Sequence, residues 1–386
     1  MVPNGWKRTP LSNHAEIRSG VAKGKTGLKN PVRLPYLRVA NVQDGYIDLT
    51  EVKEIEIEAD QIERYSLKSG DVLMNEGGDF DKLGRGDVWQ DQISPCLHQN
   101  HVFAVRPNFK VMDPFYLAAL AASNYGKTYF LSCAKRSTNL ASINSTQIKE
   151  FPVLLPPLTE QKKIAQILSA WDKAIDTTEK LLGNSQKQKQ ALMQQLLTGK
   201  KRFSGFSDNW GNVKLGSVCS ITTGKKDVNQ GNVNGDYPFF TCSREYTFSD
   251  EYSFDCEALL IAGNGVLGTT HYYNGKFEAY QRTYVLHKFN NIDVGYLHQY
   301  ILYWLEVDIE REKQHGAMPY IKVGLLSNFR VKLPNLVEQE KIAYVLKLAD
   351  KEIQTIQSKL DFLKEEKKAL MQQLLTGKRR VKVSHS

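Results

Sequence analysis

A repeat at an offset of 178 residues constrains this sequence more than any other feature. ALMQQLLTGKKR at 191–202 returns as ALMQQLLTGKRR at 369–380, and LPPLTEQKKIAQIL at 155–168 returns as LPNLVEQEKIAYVL at 333–346. Blocks 155–202 and 333–380 align without a gap, and more than half of their positions are identical. Such a chain is expected to fold as two similar units in series, not around one indivisible core. Its length of 386 residues fits, at about 100–200 residues per domain.

The segments before each block diverge but keep landmarks. GWKRTPLSNHAEIRSG (5–20) faces NWGNVKLGSVCSITTG (209–224), sharing Trp6/Trp210, Leu11/Leu215, Ile17/Ile221 and Gly20/Gly224. YSLKSGDVLMNEGG (65–78) faces YSFDCEALLIAGNG (252–265), and HQNHVF (98–103) faces YQRTYV (280–285). Short β-type runs punctuated by Gly, Asn and Asp recur in both segments, with one amphipathic helix in each, near 113–123 and 294–307. These read as mixed globules dominated by strands.

The similar blocks read as long helices. Ile164, Leu168, Trp171, Ile175, Leu182, Leu192 and Leu196 follow alternating four- and three-residue steps, with Thr178, Ser185 and Lys189 filling the register. In the second block Ile342, Leu346, Ile353, Ile356, Leu360, Leu363, Leu370 and Leu374 do the same, with Ala349 and Lys367 filling the register. A 3.5-residue apolar period over five heptads predicts a coiled-coil seam. Pro157 and Pro334 mark the starts, Asn335 with Glu338 predicts a capping box, and Gly199 and Gly377 mark the ends. The second globule begins about ten residues after the first helix ends. If the helices pair, the second must run back along the first. The expected fold class is therefore α+β: two mixed α/β globules (1–154 and 205–332) separated by a long antiparallel two-helix coiled coil (155–204 and 333–386, the latter with a tail), pseudo-twofold symmetric.

Two divergent globules, each followed by an L-P-x-L-x-E-Q block, a long helix and an L-L-T-G-K end, resemble the specificity subunit of type I restriction–modification enzymes along essentially the whole chain. Glu160-Gln161 and Glu338-Gln339 are the E-Q helix starts that carry the likeness. The resemblance implies that each globule is a target-recognition domain reading one half of a bipartite site on double-stranded DNA. It implies that the helices set the spacing and dock two adenine-N6 methyltransferase subunits, and through them restriction/translocase subunits. S-adenosylmethionine, ATP and Mg belong to those partners; no cofactor and no metal is expected in this chain, nor any catalysis of its own. Two readers on a stiff spacer suit this task physically, since they meet half-sites facing opposite ways and their binding energies combine. A specificity subunit of a fused type II-like system is the alternative within this architecture. From another class, a coiled-coil scaffold joining two protein- or glycan-binding modules fits the same pattern.

Composition narrows the classes. At 41% hydrophobic the chain has material for cores, and disorder throughout is excluded. No apolar run is long enough to cross a membrane, and MVPNGWKRTP carries no apolar signal core. Five cysteines without a C-x-x-C read as reduced thiols, so a cytoplasmic location is expected. The net charge of +9 permits an anionic partner, but its distribution matters more. The globules carry net +2 and −2, whereas the helical blocks carry +5 and +4.

Other chemistry finds little support. GNGVLG at 263–268 follows a strand-like run but precedes another, so it reads as a turn, not a dinucleotide site. GVAKGKT at 20–26 is one residue short of a phosphate loop; it remains a basic Gly-rich loop, and Lys25, Lys225 and Lys226 are candidates for phosphate contact. Cys96, His98 and His101 do not close a zinc site alone. Base edges are read by Arg, Lys, Asn, Gln, Ser and Thr. The loop KRSTNLASIN at 135–144 is dense in such groups, and its counterpart KQHGAMPYIK at 313–322 shares its location but not its sequence. The DNA-reading candidates are accordingly Arg136, Ser137, Asn139 and Asn144 with His315, Tyr320 and Lys322. Next come Lys82, Arg85, Asn100, Ser243, Arg244, Asn264 and Arg282.

Overall fold

The structure, a computed structural model, describes residues 2–23, 27–78, 80, 83–136, 140–313 and 320–382. Strands and helices are mixed, as the pattern predicts. Two helices of 39 residues, Leu158–Leu196 and Leu336–Leu374, occupy the repeated blocks; each is about 60 Å long. The chain divides into two compact units, Met1–Thr178 with Lys359–Ser386, and Glu179–Ser358. Each long helix therefore contributes one part to each unit.

In the first unit, Lys7–Pro10 pairs antiparallel with Pro152–Leu155, so the entry strand is fastened to the strand that leads into the first long helix. A three-stranded sheet orders Ala15–Ser19, Val102–Pro107 and Val72–Asn75; another orders Lys53–Glu58, Pro31–Leu37 and Leu97–His98. The largest core joins Leu11, Met74, Tyr116, Phe130 and Phe151 to Ile164, Leu168 and Leu374 of the long helices. One helix was expected near 113–123; there are two, Pro114–Ala122 and Asn124–Cys133, meeting at Ser123. Ser123 ends the first and caps the second by accepting from Gly126 N at 3.4 Å. At Gly126 a Cβ would meet the Ala121 carbonyl oxygen at 2.2 Å, so the turn needs glycine.

The second unit repeats the entry device: Gly211–Lys214 pairs antiparallel with Arg330–Leu333. Its six-stranded sheet runs Ser220–Thr223, Thr283–His287, Phe254–Ala262, Thr270–Ala279, Tyr237–Phe240, Thr247–Ser249. The helix Val294–Lys313 covers it, longer than the expected 294–307. Its core joins Leu215, Leu259, Tyr296 and Leu326 to Leu196, Leu197, Ile342 and Leu346.

Within each unit the long-helix segments run antiparallel. In the first, Glu160 pairs with Arg380 and Asp172 with Lys367. In the second, Lys189 pairs with Asp350 and Arg202 with Glu338. Ile164, Leu168, Leu196, Ile342, Leu346, Ile356, Leu360 and Leu374 are buried, and Trp171, Ile175, Leu182, Leu192, Ile353, Leu363 and Leu370 are half-buried. Met193, Leu197 and Leu375 are also buried although they stand outside that register, because the last helical turns pack into the globules as well. Gly199 and Gly377 end the helices at φ +74° and +69°, a left-handed conformation that glycine adopts without strain. The predicted capping box forms only in part: Glu338 N donates to Asn335 Oδ1 at 3.0 Å, but the Glu338 carboxylate turns to Trp210 and Arg202 instead.

Candidate nucleic-acid interface and its anchoring

The E-Q pairs at the helix starts do separate jobs. Glu160, 2% exposed, accepts from Trp6 Nε1 at 3.1 Å and from Arg380 Nε and Nη2 at 2.6 and 2.7 Å. Glu338, fully buried, accepts from Trp210 Nε1 at 3.1 Å and from Arg202 Nε and Nη2 at 2.9 and 2.7 Å. Each arginine also lies over its tryptophan ring at 5.7 Å. A buried carboxylate requires such partners, and the forked guanidinium satisfies both oxygens. The glutamines hold the globules. Gln161 Oε1 accepts from Asp113 N at 2.9 Å, and Gln339 Oε1 from Asp293 N at 2.9 Å. Asp113 and Asp293 in turn cap their helices through Tyr116 N and Tyr296 N. Each globule is thus positioned on its helix start by the same short network.

The loops that carry the candidates are built on a shared scaffold too. Gly20 lies so close to the next strand that a Cβ would sit 2.0 Å from the His98 carbonyl oxygen; at Gly224 the Ala279 oxygen would lie at 1.8 Å. The two late loops, paired in sequence only by location, are pinned alike. Ile143 N donates to Glu76 O at 2.8 Å, and Ile321 N to Gly263 O at 2.7 Å. Ile143 and Ile321 are both buried.

In the first globule these bonds gather three stretches. Glu76 N donates to His101 O at 2.9 Å and Asn75 N to Arg85 O at 3.1 Å, so Asn100, Arg85 and the 141–143 strand end share one neighbourhood. Exposed Arg136 extends a small sheet of Lys135–Arg136, Ala141–Ser142 and Gly77–Gly78, and its guanidinium lies over Phe80 at 6.0 Å. Arg85 is half-buried and donates to Gln43 Oε1 at 3.1 Å. Asn144, a DNA-reading candidate, has a structural task in the fold. It caps the helix Ser145–Lys149, accepting from Gln147 N at 3.1 Å. Lys25, Lys82, Ser137, Asn139 and His315 lie outside the described residues.

The second globule assembles its candidates more tightly. Gly263 N donates to Arg282 O at 2.9 Å, Cys242 Sγ lies 3.4 Å from that oxygen, and Tyr284 OH donates to Ile321 O at 2.8 Å. Ser243, Arg244, Asn264, Arg282, Tyr320 and Lys322 therefore cluster on linked loops, all exposed except half-buried Asn264. GNGVLG is the turn between two strands of the sheet, with Gly265 and Gly268 at φ +64° and +80°. Of the two phosphate-contact candidates here, Lys225 is exposed and Lys226 is half-buried among protein partners. Its ammonium donates to Glu251 at 3.0 Å and Ser249 at 3.2 Å and lies 3.8 Å from buried Glu278. Sequence reasoning missed the aromatic cluster beside Ser243, in which Tyr246 and His271 pack on Phe240 at 5.2 and 5.5 Å. The density of aromatics nearby, Tyr237, Phe239, Phe240, Tyr246 and Phe248, was its signal in the sequence.

Cys96, His98 and His101 have separate surroundings. Burial pushes the Cys96 thiol up to about 12. His98 is buried, donates from Nδ1 to Val102 O at 2.6 Å, and is held at about 4 by desolvation. His101 pairs with Glu76. Among the described residues no group of three or more His, Cys, Asp or Glu is placed to hold a metal ion. No described helix is long and apolar enough to cross a membrane.

The family model described as "Type I restriction modification DNA specificity domain" matches this chain twice, at residues 3–183 and 207–365. The chain is 29% identical to a putative type I restriction enzyme MjaX specificity subunit of Methanocaldococcus jannaschii, covering 99% of this chain and 95% of that one. It is 34% identical to the type I restriction enzyme EcoDI specificity subunit of Escherichia coli over 44% of this chain and 37% of that one. The fold is that of a type I restriction–modification S subunit from M. genitalium, with a TM-score of 0.66 at 15% identity over 97% of both chains. It is also like the HsdS subunit from Thermoanaerobacter tengcongensis, with a TM-score of 0.52 at 19% identity over 98% of both chains. With two family matches spanning both repeats, this chain belongs to the type I restriction–modification specificity family, whose members select DNA and do no catalysis.

Proposed function

We propose that each globule reads one half of a bipartite site on double-stranded DNA, and that the two long helices act as the spacer between the readers. The single observation that carries this reading is the reciprocity of the helix contacts: Arg202–Glu338 and Arg380–Glu160 are the same pair exchanged between repeats, and so are Lys189–Asp350 and Lys367–Asp172. Two quasi-equivalent readers on a pseudo-twofold antiparallel coiled coil suit half-sites that face opposite ways. The helices dock two adenine-N6 methyltransferase subunits, and restriction subunits join through these; S-adenosylmethionine, ATP and Mg belong to those partners. The reading surface of the second globule is Ser243, Arg244, Asn264, Arg282, Tyr320 and Lys322, with Lys225 on phosphate. That of the first centres on Arg136, Arg85 and Asn100. Base edges are read there by direct hydrogen bonds.

The test is to sequence modified adenines in cells with and without the gene. One two-part motif with a fixed gap should lose its methylation on deletion. Retention of every such motif would sink the reading.

A further inference from the structure

We infer that Gln299 is a positioning residue, a latch holding the second globule at one angle on the long helices, so that it sets how strictly the gap between half-sites is kept. This rests on the reading of the helices as a spacer. The latch is a three-way junction on Asp350. Lys189 Nζ of the first long helix donates to Asp350 Oδ1 at 2.5 Å, and Gln299 Nε2 of the helix Val294–Lys313 donates to Asp350 Oδ2 at 2.8 Å. Gln299 is 6% exposed; its Nε2 is committed to this carboxylate and not to solvent, while its Oε1 is buried without a hydrogen-bond partner. One carboxylate therefore ties together both long helices and the helix that covers the globule's sheet.

The first globule lacks the device. Asp113 and Asp293 occupy equivalent caps, as do Tyr116 and Tyr296, which places Ala119 where the second globule has Gln299. Alanine carries no donor. Asp172, the repeat equivalent of Asp350, still pairs with Lys367. The first globule instead brings the Asp87 carboxyl near that pair; burial first, and then the charge of Asp172, push its pKa up. An ionised Asp87 offers Asp172 no donor such as the Gln299 amide, and it meets the charge of Lys367 as well as that of Asp172. The junction is thus a property of the second globule and not of the repeated helices.

The consequence is geometric. A gap longer or shorter by one base pair displaces a half-site by about 3.4 Å along the axis and turns it about the duplex. A reader fixed at one angle rejects it, whereas a reader free to tilt accepts it in part. The experiment maps modified adenines in cells carrying the full methyltransferase complex with wild-type chain, Gln299→Met or Gln299→Glu. Met keeps the volume and removes the donor; Glu sets a second carboxylate against Asp350. Both variants should keep the half-site bases. Methylation at sites with the gap changed by one base pair should rise roughly fivefold to tenfold in Met, the ratio that one hydrogen bond sets, and further in Glu. Thermal unfolding of the purified chains shows that the variants fold. A lowered melting temperature with an unchanged gap in both variants would make Gln299 merely structural and overturn the inference. Absence of any bipartite motif in the wild type would instead overturn the spacer reading beneath it.

Discussion

Arg202 grips Glu338 with two hydrogen bonds of 2.9 and 2.7 Å, closing the end of one repeat onto the start of the other. Arg380 does the same to Glu160. Each arginine stands at the last position of its block, and each glutamate is the first half of the E-Q pair. The junction explains why both ends of the block are kept in two copies: neither residue has its partner in its own repeat.

Removal of Glu160 should therefore unfasten Trp6 and Arg380 together. Glu160→Ala should cost about 2 kcal/mol. That lies below the usual range for a broken buried pair because Arg380 reaches solvent and rehydrates. Chemical unfolding of the purified chain measures it. Trp6→Phe, which loses one hydrogen bond, should cost less, and an equal loss in both variants would contradict the shared junction.

Burial of neutral His98 makes stability depend on pH. Its folded pKa of about 4 lies below the unfolded value of 6.5. The unfolded state therefore binds a proton that the folded state refuses. The sign is loss of stability on acidification, beginning near pH 6.5 and continuing to about 4, on the order of 3 kcal/mol in total. Above pH 6.5 this contribution is flat. Urea midpoints at pH 7.5 and 5 for wild type and His98→Asn should show the acid sensitivity shrinking in the variant; parallel curves would refute the assignment.

Glycine substitutions should split by location. Gly20→Ala and Gly224→Ala drive a Cβ into backbone carbonyls and should destabilise by about 2 kcal/mol or more. Gly183, mid-helix with nothing within 4 Å of its would-be Cβ, should stabilise by about 1 kcal/mol on conversion to Ala. Melting temperatures of the three variants decide it.

Charge removal separates readers from props. Arg244→Ala and Arg282→Ala should weaken DNA binding by the assembled complex, each lowering the salt slope by about 1 if it meets phosphate. An unchanged slope with relaxed half-site preference assigns the arginine to a base edge. Lys226→Ala should leave the slope alone and lower stability, since its ammonium serves Glu251, Ser249 and Glu278. Fluorescence anisotropy across salt concentrations reads both effects. A slope change with Lys226→Ala would reverse its assignment.

The sequence by itself determined the two repeats, the two long helices and the mixed globules, because apolar period and glycine punctuation are local signals. It also singled out Gly20, Gly224 and the E-Q pairs, though without their tasks. Only the tertiary structure decided what each polar side chain does. Asn144 and Lys226 look like DNA contacts in sequence; in the fold one caps a helix and the other meets carboxylates 25 and 52 positions away. Glu338 looks like a capping-box partner, yet it turns to an arginine 136 positions distant. A polar group takes whichever partner folding brings within about 3 Å, and that partner is set by packing between distant segments rather than by neighbours along the chain.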